Sequence, residues 1–358
     1  VGACGNGSRC VAYLISKENN QRFINLKADK TILKAEILSE KNVRMDMGLP
    51  KFDKAVDIPL MEGLNPRKVS IDFLEKEYGK PSLACGGSAT NTIFAASILG
   101  SSCSYICKVG NDKNGNFYLD DLSYAGVNID HSVMLDSNIN SGTCTVMVSP
   151  DAERTMSTCL GISSDLSATD VADEIFNDSK LIYLEGYMMS GDDSYDACME
   201  AIRLAKSKNV QIAFTLSDPN IVSAFKERML NVLNSKVDVL FCNDEEAKVI
   251  TDLENLEHAI KKLGEYSKKV FVTLGSKGAM ILENSDIEYV EGYKVDPIDT
   301  NGAGDMFAGA VLNRLLGGCS NEEAAKFGCF LASRCVTVFG TRMQWEDYLK
   351  FQIEFYSL

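Results

Sequence analysis

Residues 299–305 read Asp-Thr-Asn-Gly-Ala-Gly-Asp and place two glycines and an aspartate at a predicted helix start. Apolar residues at helical spacing follow from Met306 to Leu316, and alternating residues from Ile287 to Ile298 predict strands before the loop. Glycines let several backbone N–H groups point at one spot, where the helix dipole adds partial positive charge. The pattern predicts an anion site that needs no lysine or arginine. Asp305, on the first helical turn, could take a proton from a hydroxyl that then attacks a phosphoryl group.

A second interpretation of these residues is an ordinary helix start, with an aspartate cap and a glycine in the turn. The motif is longer than that interpretation needs, because residues 306–310, Met-Phe-Ala-Gly-Ala, continue it. The whole run resembles the signature of the PfkB (ribokinase-like) family of sugar and nucleoside kinases. It is neither a Walker A loop, since no Gly-Lys-Ser/Thr follows, nor a dinucleotide fingerprint. The resemblance implies catalytic and ATP-binding roles within the loop: a general base at Asp305, phosphoryl-binding amides at Gly302, Ala303 and Gly304, and an ATP contact at Asn301.

A second glycine-containing segment, residues 85–92, precedes the apolar helix predicted over Ile93–Leu99. Paired glycines allow a ligand to approach the backbone, and an asparagine offers both a donor and an acceptor to hydroxyls. Taken alone, the segment also fits a plain capped helix. The segment resembles the N-terminal Gly-Gly-x-x-x-Asn element of the family, which implies that the sugar hydroxyls of the substrate are held by Gly86, Gly87, Ser88 and Asn91.

Asn243-Asp244-Glu245-Glu246 follows a predicted strand and resembles the Asn-x-x-Glu element of the family. Oxygen ligands at this spacing suit Mg²⁺, which keeps several of its waters. Asn243 and Glu246 are therefore predicted to position the metal through water. The resemblance implies that both residues lie at the ATP site. The alternative is a negatively charged first helical turn, which the helix dipole favours.

Residues 273–279 lie between two short strands and predict a hairpin turn. In relatives the matching turn lines the ATP site, which implies ATP contacts for Thr273, Gly275 and Gly278. Arg154, within Asp151–Met156, could contact the negative charge of the transferred phosphate. The pattern fits equally well an arginine on the surface of a hairpin.

From Ala84 onward, short β-rich runs alternate with amphipathic helices, which predicts an α/β fold with a mainly parallel central sheet and helices on both faces. In such sheets, ligands bind beyond the carboxyl ends of the strands, and Asn243, Gly275 and Asp299 each follow a predicted strand. The predicted strands are Ser104–Val109, Cys144–Ser149, Leu181–Leu184, Gln211–Leu216, Val237–Cys242, Lys269–Leu274 and Ala279–Leu282. The predicted helices between them include Asp193–Ser207, Glu245–Ile250 and Leu256–Tyr266.

The N-terminal part is charged and has little periodicity. It predicts strands at Val11–Ile15 and Thr31–Ile37, a loop at Met45–Asn65 and a helix at Lys68–Tyr78. The resemblance spans nearly the whole chain and implies one ribokinase-like kinase unit over residues 1–358. Its large α/β domain would cover roughly 80–340 plus an N-terminal strand, and a small β lid would come from parts of 11–36 and 133–160. Residues 41–80 are longer than the usual connection in the family.

Within the family, the segments 151–161, 183–187, 215–219 and 242–247 resemble adenosine kinases. This implies ATP-dependent phosphorylation of the 5′-hydroxyl of adenosine, giving AMP and ADP. The chain departs from adenosine kinases at the aspartate that binds the ribose hydroxyls. Cys10 stands at the position expected for this aspartate, and Asp57 would be the matching residue only if the alignment is shifted. A sugar kinase for ribose or fructose, and a catalytically weak nucleoside- or nucleotide-binding homologue, are therefore the alternatives.

The composition narrows the class of protein further. At 358 residues and 45% hydrophobic, the chain can bury a large core, and its net charge of −14 argues against nucleic acid and anionic membranes as partners. No apolar run long enough for a transmembrane helix and no signal peptide is visible. Twelve cysteines in mostly apolar stretches and only two histidines predict a reduced cytoplasmic protein without a zinc cluster. ATP and Mg²⁺ are the predicted cofactors, and the resemblance raises K⁺, although no ligand set for it is evident. A monomer or a homodimer is expected.

Overall fold

The computed structural model describes residues 83–135, 138–148 and 154–357, and the backbone of three earlier strands within 23–46. The side chains of those strands, and of residues 147, 148, 154 and 155, lie outside the description. So do Cys10, Asp57 and the predicted elements Val11–Ile15 and Lys68–Tyr78.

The strands alternate with helices for most of the described chain. The strands are β1 (Phe23–Ala28), β2 (Thr31–Ser39), β3 (Asn42–Asp46), β4 (Lys108–Gly110), β5 (Val133–Leu135), β6 (Thr143–Val148), β7 (Arg154–Cys159), β8 (Leu181–Glu185), β9 (Gln211–Thr215), β10 (Val237–Asn243), β11 (Ser267–Thr273), β12 (Gly278–Glu283) and β13 (Asp286–Glu291). The α-helices are α1 (Ser88–Ile98), α2 (Lys113–Tyr124), α3 (Asp192–Ser207), α4 (Pro219–Ala224), α5 (Lys226–Asn234), α6 (Asp244–Thr251), α7 (Leu256–Leu263), α8 (Ala303–Leu316), α9 (Asn321–Cys335) and α10 (Trp345–Phe355).

The chain divides into two compact units. The first comprises residues 1–84 and 144–158, and the second comprises 85–143 and 159–358. In the first unit, β1, β2 and β3 form an antiparallel sheet, while β6 and β7 pair as a separate two-stranded sheet. The predicted strand Thr31–Ile37 is confirmed, and the predicted loop Met45–Asn65 is wrong at its start because β3 extends to Asp46. The lid stays a prediction.

The second unit is built on a six-stranded sheet with the order β13-β12-β11-β10-β9-β8. The strands β8 to β11 are parallel, and β12 and β13 continue the sheet antiparallel. The prediction of a mainly parallel sheet is therefore confirmed. Because parallel strands end at one edge, Glu185, Thr215, Asn243 and Thr273 all lie along the same edge, and the registers pair Glu185 with Thr215 and Asn243 with Thr273.

Alternation along β10 shows how the sheet is covered on both faces. Leu240 and Cys242 pack in a core cluster with residues of α3, α5, α6 and α7. Val239 and Phe241 point the other way and pack in a cluster with residues of α8 and α9. The period of two along a strand thus places helices on both faces, as the sequence predicts.

Two predicted strands differ from the structure. The stretch Ile287–Ile298 forms a strand only as far as Glu291, and Pro297, which has no amide hydrogen for a ladder, lies in the irregular segment that follows. The stretch Ser104–Val109 contributes one isolated bridge from Ser104 to Asn128, and regular pairing begins only at Lys108. None of the helices in the described ranges combines the length and the apolar character that a membrane crossing needs.

Candidate active site

The two helices that bring the predicted site residues together are α1 and α8, and a glycine lets them approach closely. A β-carbon on Gly309 of α8 would lie 2.5 Å from the carbonyl oxygen of Thr92 and 2.9 Å from the β-carbon of Ala95, both in α1. Only a residue without a side chain fits this crossing. The close approach sets the first turns of α1 and α8 side by side, 217 residues apart in sequence at Ser88 and Asp305.

The carboxylate of Asp305 is held through both of its oxygens. The hydroxyl of Ser88 donates to Oδ1 at 2.9 Å, and the side-chain amide Nδ2 of Asn91 donates to Oδ2 at 2.8 Å. Hydrogen bonds to the ionised form of a carboxyl favour that form, so both donors help to keep a proton-accepting group. Asp305 is half-buried, which leaves it accessible to a ligand.

The helix α8 begins at the predicted anion loop without a side-chain cap. Gly302 is its N-cap residue with φ 75°, and a β-carbon there would lie 2.3 Å from the carbonyl oxygen of Thr341. Gly304, by contrast, is exposed, and a β-carbon there would meet no atom of the described residues within 4 Å. The first amides of a helix have no carbonyl partner inside the helix. Within the described part of the chain, the space at Gly304 is therefore open, and the amides of the helix tip suit an anion.

The backbone of the loop is fixed by Asp299, which is only 1% exposed. Its Oδ1 accepts from the amide of Asn301 at 2.9 Å, and its Oδ2 accepts from the amide of Gly340 at 3.0 Å. The backbone amide of Asp299 itself donates to the carbonyl of Val336. Asp299 thus ties the anion loop to the turn that follows α9.

A further carboxylate, that of Glu185, lies beside Asp305 at the carboxyl end of β8. Its Oε2 accepts from the backbone amide of Ala89 at 2.8 Å, and the Ser88 hydroxyl is also a hydrogen-bond partner. Burial raises the pKa of Glu185 to about 7, and the negative charge of Asp305 adds to the rise. Two carboxyl groups with different environments therefore share this end of the sheet.

Asn243 and Glu246 form a capping box at the start of α6. The side chain of Asn243 accepts from the Glu246 amide at 2.7 Å, and Glu246 accepts from the amide of Asn243 at 3.0 Å and from its Nδ2 at 2.8 Å. Burial, together with the charges of Asp218, Glu245 and Asp244, raises the pKa of Glu246 to about 7. The cap explains this motif locally, and the role in positioning a metal stays a prediction.

Tyr187 lies just after the Glu185 end of β8, and it is 39% exposed. Partial burial raises its pKa, and so do the charges of Asp218, Glu185, Asp305 and Glu246, in that order. The negative charges of both groups of carboxylates therefore act on this phenol. A site with this much negative charge suits a ligand that brings cations with it.

The sequence of residues 69–347 matches the family model described as pfkB family carbohydrate kinase. The chain belongs to this family. Its kinases are phosphotransferases that act on sugar or nucleoside hydroxyls and need ATP and Mg²⁺. The signature resemblance carried by residues 299–310 is thereby confirmed.

Known relatives of this pfkB-family kinase include both nucleoside and sugar kinases. The crystal structure of adenosine kinase from Sinorhizobium meliloti superposes with a TM-score of 0.76 at 29% identity, covering 81% of this chain and 89% of that one. Ribokinase from Haemophilus influenzae is 25% identical over 73% of this chain and 83% of its own length. Adenosine kinase from Schizosaccharomyces pombe is 25% identical over 74% and 84%, respectively. The ribokinase-like fold is confirmed.

The structure of this pfkB-family kinase brings together the predicted residues of α1 and α8. Gly87 is the N-cap of α1 with φ 99°, and Gly86 has open space where a β-carbon would point. Asn301 is 6% exposed and precedes the helix tip. Arg154 begins β7, but its side chain lies outside the description. The catalytic and binding roles of these residues remain predictions.

The predicted ATP-binding turn of the kinase lies at the same sheet edge as Asn243. Thr273 ends β11 beside Asn243, and a short 3₁₀ turn from Gly275 to Lys277 leads into β12. Gly278 has φ 108°, and a β-carbon there would lie 2.0 Å from the carbonyl oxygen of Val290, so this glycine is required by the hairpin itself. Gly275 has φ 59° with open space around it, which leaves the turn approachable.

The donor groups at the carboxyl edge of the sheet determine how a magnesium ion could be bound. Among the residues that the structure describes, no group of three or more His, Cys, Asp or Glu side chains could hold a metal ion. The oxygens of Glu246 each accept one hydrogen bond from Asn243, and a carboxylate has lone pairs for further donors such as metal-bound water. These groups fit Mg²⁺ that is bound through water and carried by nucleotide phosphates, and the role of Asn243 and Glu246 in positioning it stays a prediction.

Three residues of the site are not among those predicted from the sequence. Glu185 ends the partly buried strand β8, and two signals point to it: its position beyond a predicted strand and the resemblance of segment 183–187 to adenosine kinases. Thr341 and Arg342 follow α9, and no local pattern marks them. Their side chains reach Asn91 across about 250 positions of sequence.

The raised pKa of Glu185 predicts a pH-dependent stability. Because its folded-state pKa of about 7 lies above its ordinary value of 4.5, its contribution is fully present below pH 4.5 and is lost as the pH rises through about 7. Between pH 5 and pH 8 the wild type should lose on the order of 2–3 kcal/mol through this group. Glu185→Gln should flatten that part of the profile in urea unfolding at the two pH values.

A matched control for this experiment is Glu200→Gln. Glu200 pairs with Arg203, and this hydrogen bond lowers its pKa. The variant should therefore leave the slope between pH 5 and pH 8 unchanged. An unaltered slope in Glu185→Gln as well would mean that Glu185 titrates normally in the folded protein.

Proposed function

We propose that the protein phosphorylates the 5′-hydroxyl of adenosine with ATP, giving AMP and ADP. The observation that carries the proposal is the carboxylate of Asp305, which lies on the first turn of α8 and is held by Ser88 and Asn91. A helix tip suited to an anion has no use for an aspartate in binding alone, because like charges repel. A proton acceptor beside that tip is what a hydroxyl needs to attack a phosphoryl group.

In this mechanism Asp305 removes the proton from the acceptor hydroxyl. The acceptor oxygen must lie within hydrogen-bond reach of the carboxylate. Ser88 and Asn91 fix both carboxylate oxygens, so the base stays in one orientation. Held in this way, the carboxylate does not need to reorganise when the proton moves.

The amides of Gly302, Ala303, Gly304 and Asp305 receive the charge of the transferring phosphoryl group. Gly302 supplies the left-handed backbone conformation at the N-cap, the first amides of α8 have no carbonyl partner inside the helix, and Gly304 leaves the approach open. ATP with Mg²⁺ supplies the phosphoryl group and neutralises part of its charge. Asn243, Glu246 and the turn from Thr273 to Gly278 are proposed to lie on the nucleotide side.

Gly86 and Gly87, which precede α1, and the carboxylate of Glu185 are proposed to face the acceptor. The glycines allow a close approach, and Glu185 offers a hydrogen bond to hydroxyls. Asn91 is buried, and its oxygen accepts from Arg342 and Thr341. Because its NH₂ group donates to Asp305, one N–H remains for a hydroxyl within the described residues. With a pKa of about 7, Glu185 can donate or accept such a bond near neutral pH.

A sugar kinase for ribose or fructose is the second candidate. Cys10 at the expected place of the ribose-binding aspartate favours it, since a thiol is a weak hydrogen-bond partner. The ribokinase and adenosine kinase relatives are also equally similar in sequence to this chain.

A panel of adenosine, other nucleosides, ribose and fructose, each with ATP and Mg²⁺ and with ADP release as the readout, tests the assignment. We expect kcat/KM for adenosine to exceed that for the free sugars by about 10²-fold or more. 5′-Deoxyadenosine, which lacks the acceptor hydroxyl, is the matched control and should yield no ADP above background. A higher kcat/KM for a free sugar would support the sugar kinase instead. Binding of adenosine in calorimetry without phosphorylation would indicate a binding homologue that has lost activity.

A further inference from the structure

The side chain of Arg342 lies behind Asn91, on the side away from Asp305. Its Nε donates to the Oδ1 of Asn91 at 2.8 Å, and the hydroxyl of Thr341 donates to the same oxygen at 3.3 Å. The other end of the Asn91 amide donates to Asp305. A continuous chain of hydrogen bonds therefore runs from Arg342 through Asn91 to the carboxylate.

Arg342 is itself rigidly held. Its Nη1 donates to Asp121 at 2.5 Å, and its guanidinium carbon lies 4.4 Å from the ring centre of Phe94 in α1. The side chain is only 9% exposed. Asp121 pairs with the positive charge, while the fork of the guanidinium leaves Nε directed at Asn91.

The donors behind Asn91 decide which way its amide points. An asparagine amide has an accepting and a donating end that can exchange by rotation. In the observed orientation, Arg342 meets the oxygen and Asp305 meets the NH₂ group. After rotation, two donors would face each other at Arg342, and the amide oxygen would face the carboxylate of Asp305. Both contacts would become repulsive, so Arg342 holds the amide in one orientation.

We propose that Arg342 is a positioning residue, which acts through Asn91 to keep a hydrogen-bond donor on the Asp305 carboxylate. The proposal rests on the proposed function in assigning Asp305 as the base. Asp121 of α2 holds Arg342, which lies in the turn after α9. Arg342 in turn holds Asn91 of α1. Without the arginine, the Asn91 amide can rotate, the carboxylate loses a donor, and its proton affinity rises.

The decisive variant is Arg342→Met, which keeps the bulk of the side chain and removes its donors. We expect kcat to fall about tenfold to a hundredfold and the acid limb of the kcat/KM profile to move up by roughly one pH unit. Arg342→Lys retains a charge for Asp121, but one nitrogen does not replace the fork, so its effect should be intermediate. Arg334→Met is the matched control, because Arg334 pairs with Glu354 and covers Phe330 without touching Asn91. It should leave the acid limb in place.

A double variant separates positioning from the simple loss of a positive charge. In an Asn91→Ala background, a through-space effect of the Arg342 charge on Asp305 would persist, whereas an effect transmitted by the amide would vanish. We therefore expect Arg342→Met to add no further pH shift in that background. An additive shift would overturn the proposal, and so would an unmoved acid limb in Arg342→Met.

The same question can be answered without any turnover. Carbon-13 NMR titration of the Asp305 carboxyl, assigned with Asp305→Asn, should show a higher pKa in Arg342→Met than in the wild type and no change in Arg334→Met. This titration tests the positioning role of Arg342 even if the wild type phosphorylates none of the panel substrates. That second result would contradict the proposed function alone. Thermal unfolding of each variant identifies loss of fold, and Arg342→Lys serves if Arg342→Met is unstable.

Discussion

Replacing Asp305 by Asn should lower turnover by about 10²- to 10⁴-fold, the range that a general base contributes. An asparagine fits the same space. Its amide oxygen can accept from Asn91, and its NH₂ group can donate to Ser88, both of which are hydrogen-bond partners of Asp305. The geometry should therefore persist, and only the proton acceptor is lost. ATP affinity, measured by calorimetry, should change by no more than about threefold, since the amides at the helix tip remain.

The control for Asp305→Asn is Asp296→Asn. Asp296 is an exposed aspartate in the segment between β13 and α8, so its replacement makes the same change in net charge. It should retain full turnover. Near-normal turnover in Asp305→Asn would reject Asp305 as the base.

Gly304→Ala should cost activity and not stability. A β-carbon at this position meets no atom of the described residues within 4 Å, and alanine is the better helix former by about 1 kcal/mol. The added methyl group would instead enter the space in front of the amides, where the proposed phosphoryl group lies. We expect turnover to fall by about 10²-fold, as for a misplaced reacting group, with an unchanged or higher midpoint in urea unfolding.

Gly302→Ala is the matched comparison two residues earlier. Here φ is 75°, and the β-carbon would lie 2.3 Å from the carbonyl oxygen of Thr341, so the backbone itself must move. This variant should lose both stability and activity. Full activity in Gly304→Ala would show that the space at the helix tip is not used by the transferred group.

The parts of this site that the sequence predicts are those with a local pattern. Asp305 and the glycines before it predict a helix start. Asn243 and Glu246 follow an apolar run that predicts a strand, which places them at the carboxyl end of that strand. The helix start itself is three residues earlier than the apolar spacing indicates, because Ala303 begins α8 before its first buried residue. The alternative interpretation of Asn243–Glu246, a negatively charged first helical turn, agrees with the observed helix start, and the capping box adds the reciprocal hydrogen bonds of Asn243 and Glu246.

Other parts depend on tertiary contacts that no local pattern records. Arg342 reaches Asn91 over 251 positions and Asp121 over 221, and both contacts exist only because α1, α2 and the turn after α9 pack together. Helix α9 was not predicted, since it is buried on most sides and so lacks a clear polar face. Glu185 is recognisable only once β8 is known to end beside α1.

In the proposed reaction, Asp305 takes the proton of an acceptor hydroxyl while the helix tip receives the phosphoryl group. Rapid-quench measurement of a single turnover, with γ-labelled ATP, Mg²⁺ and adenosine, tests this role of Asp305. We predict that label appears in AMP in step with ADP in the wild type, and that the rate of this step falls by about 10²-fold or more in Asp305→Asn. Equal transfer rates in the two proteins, or ADP formation without labelled acceptor for every nucleoside and sugar, would contradict the account.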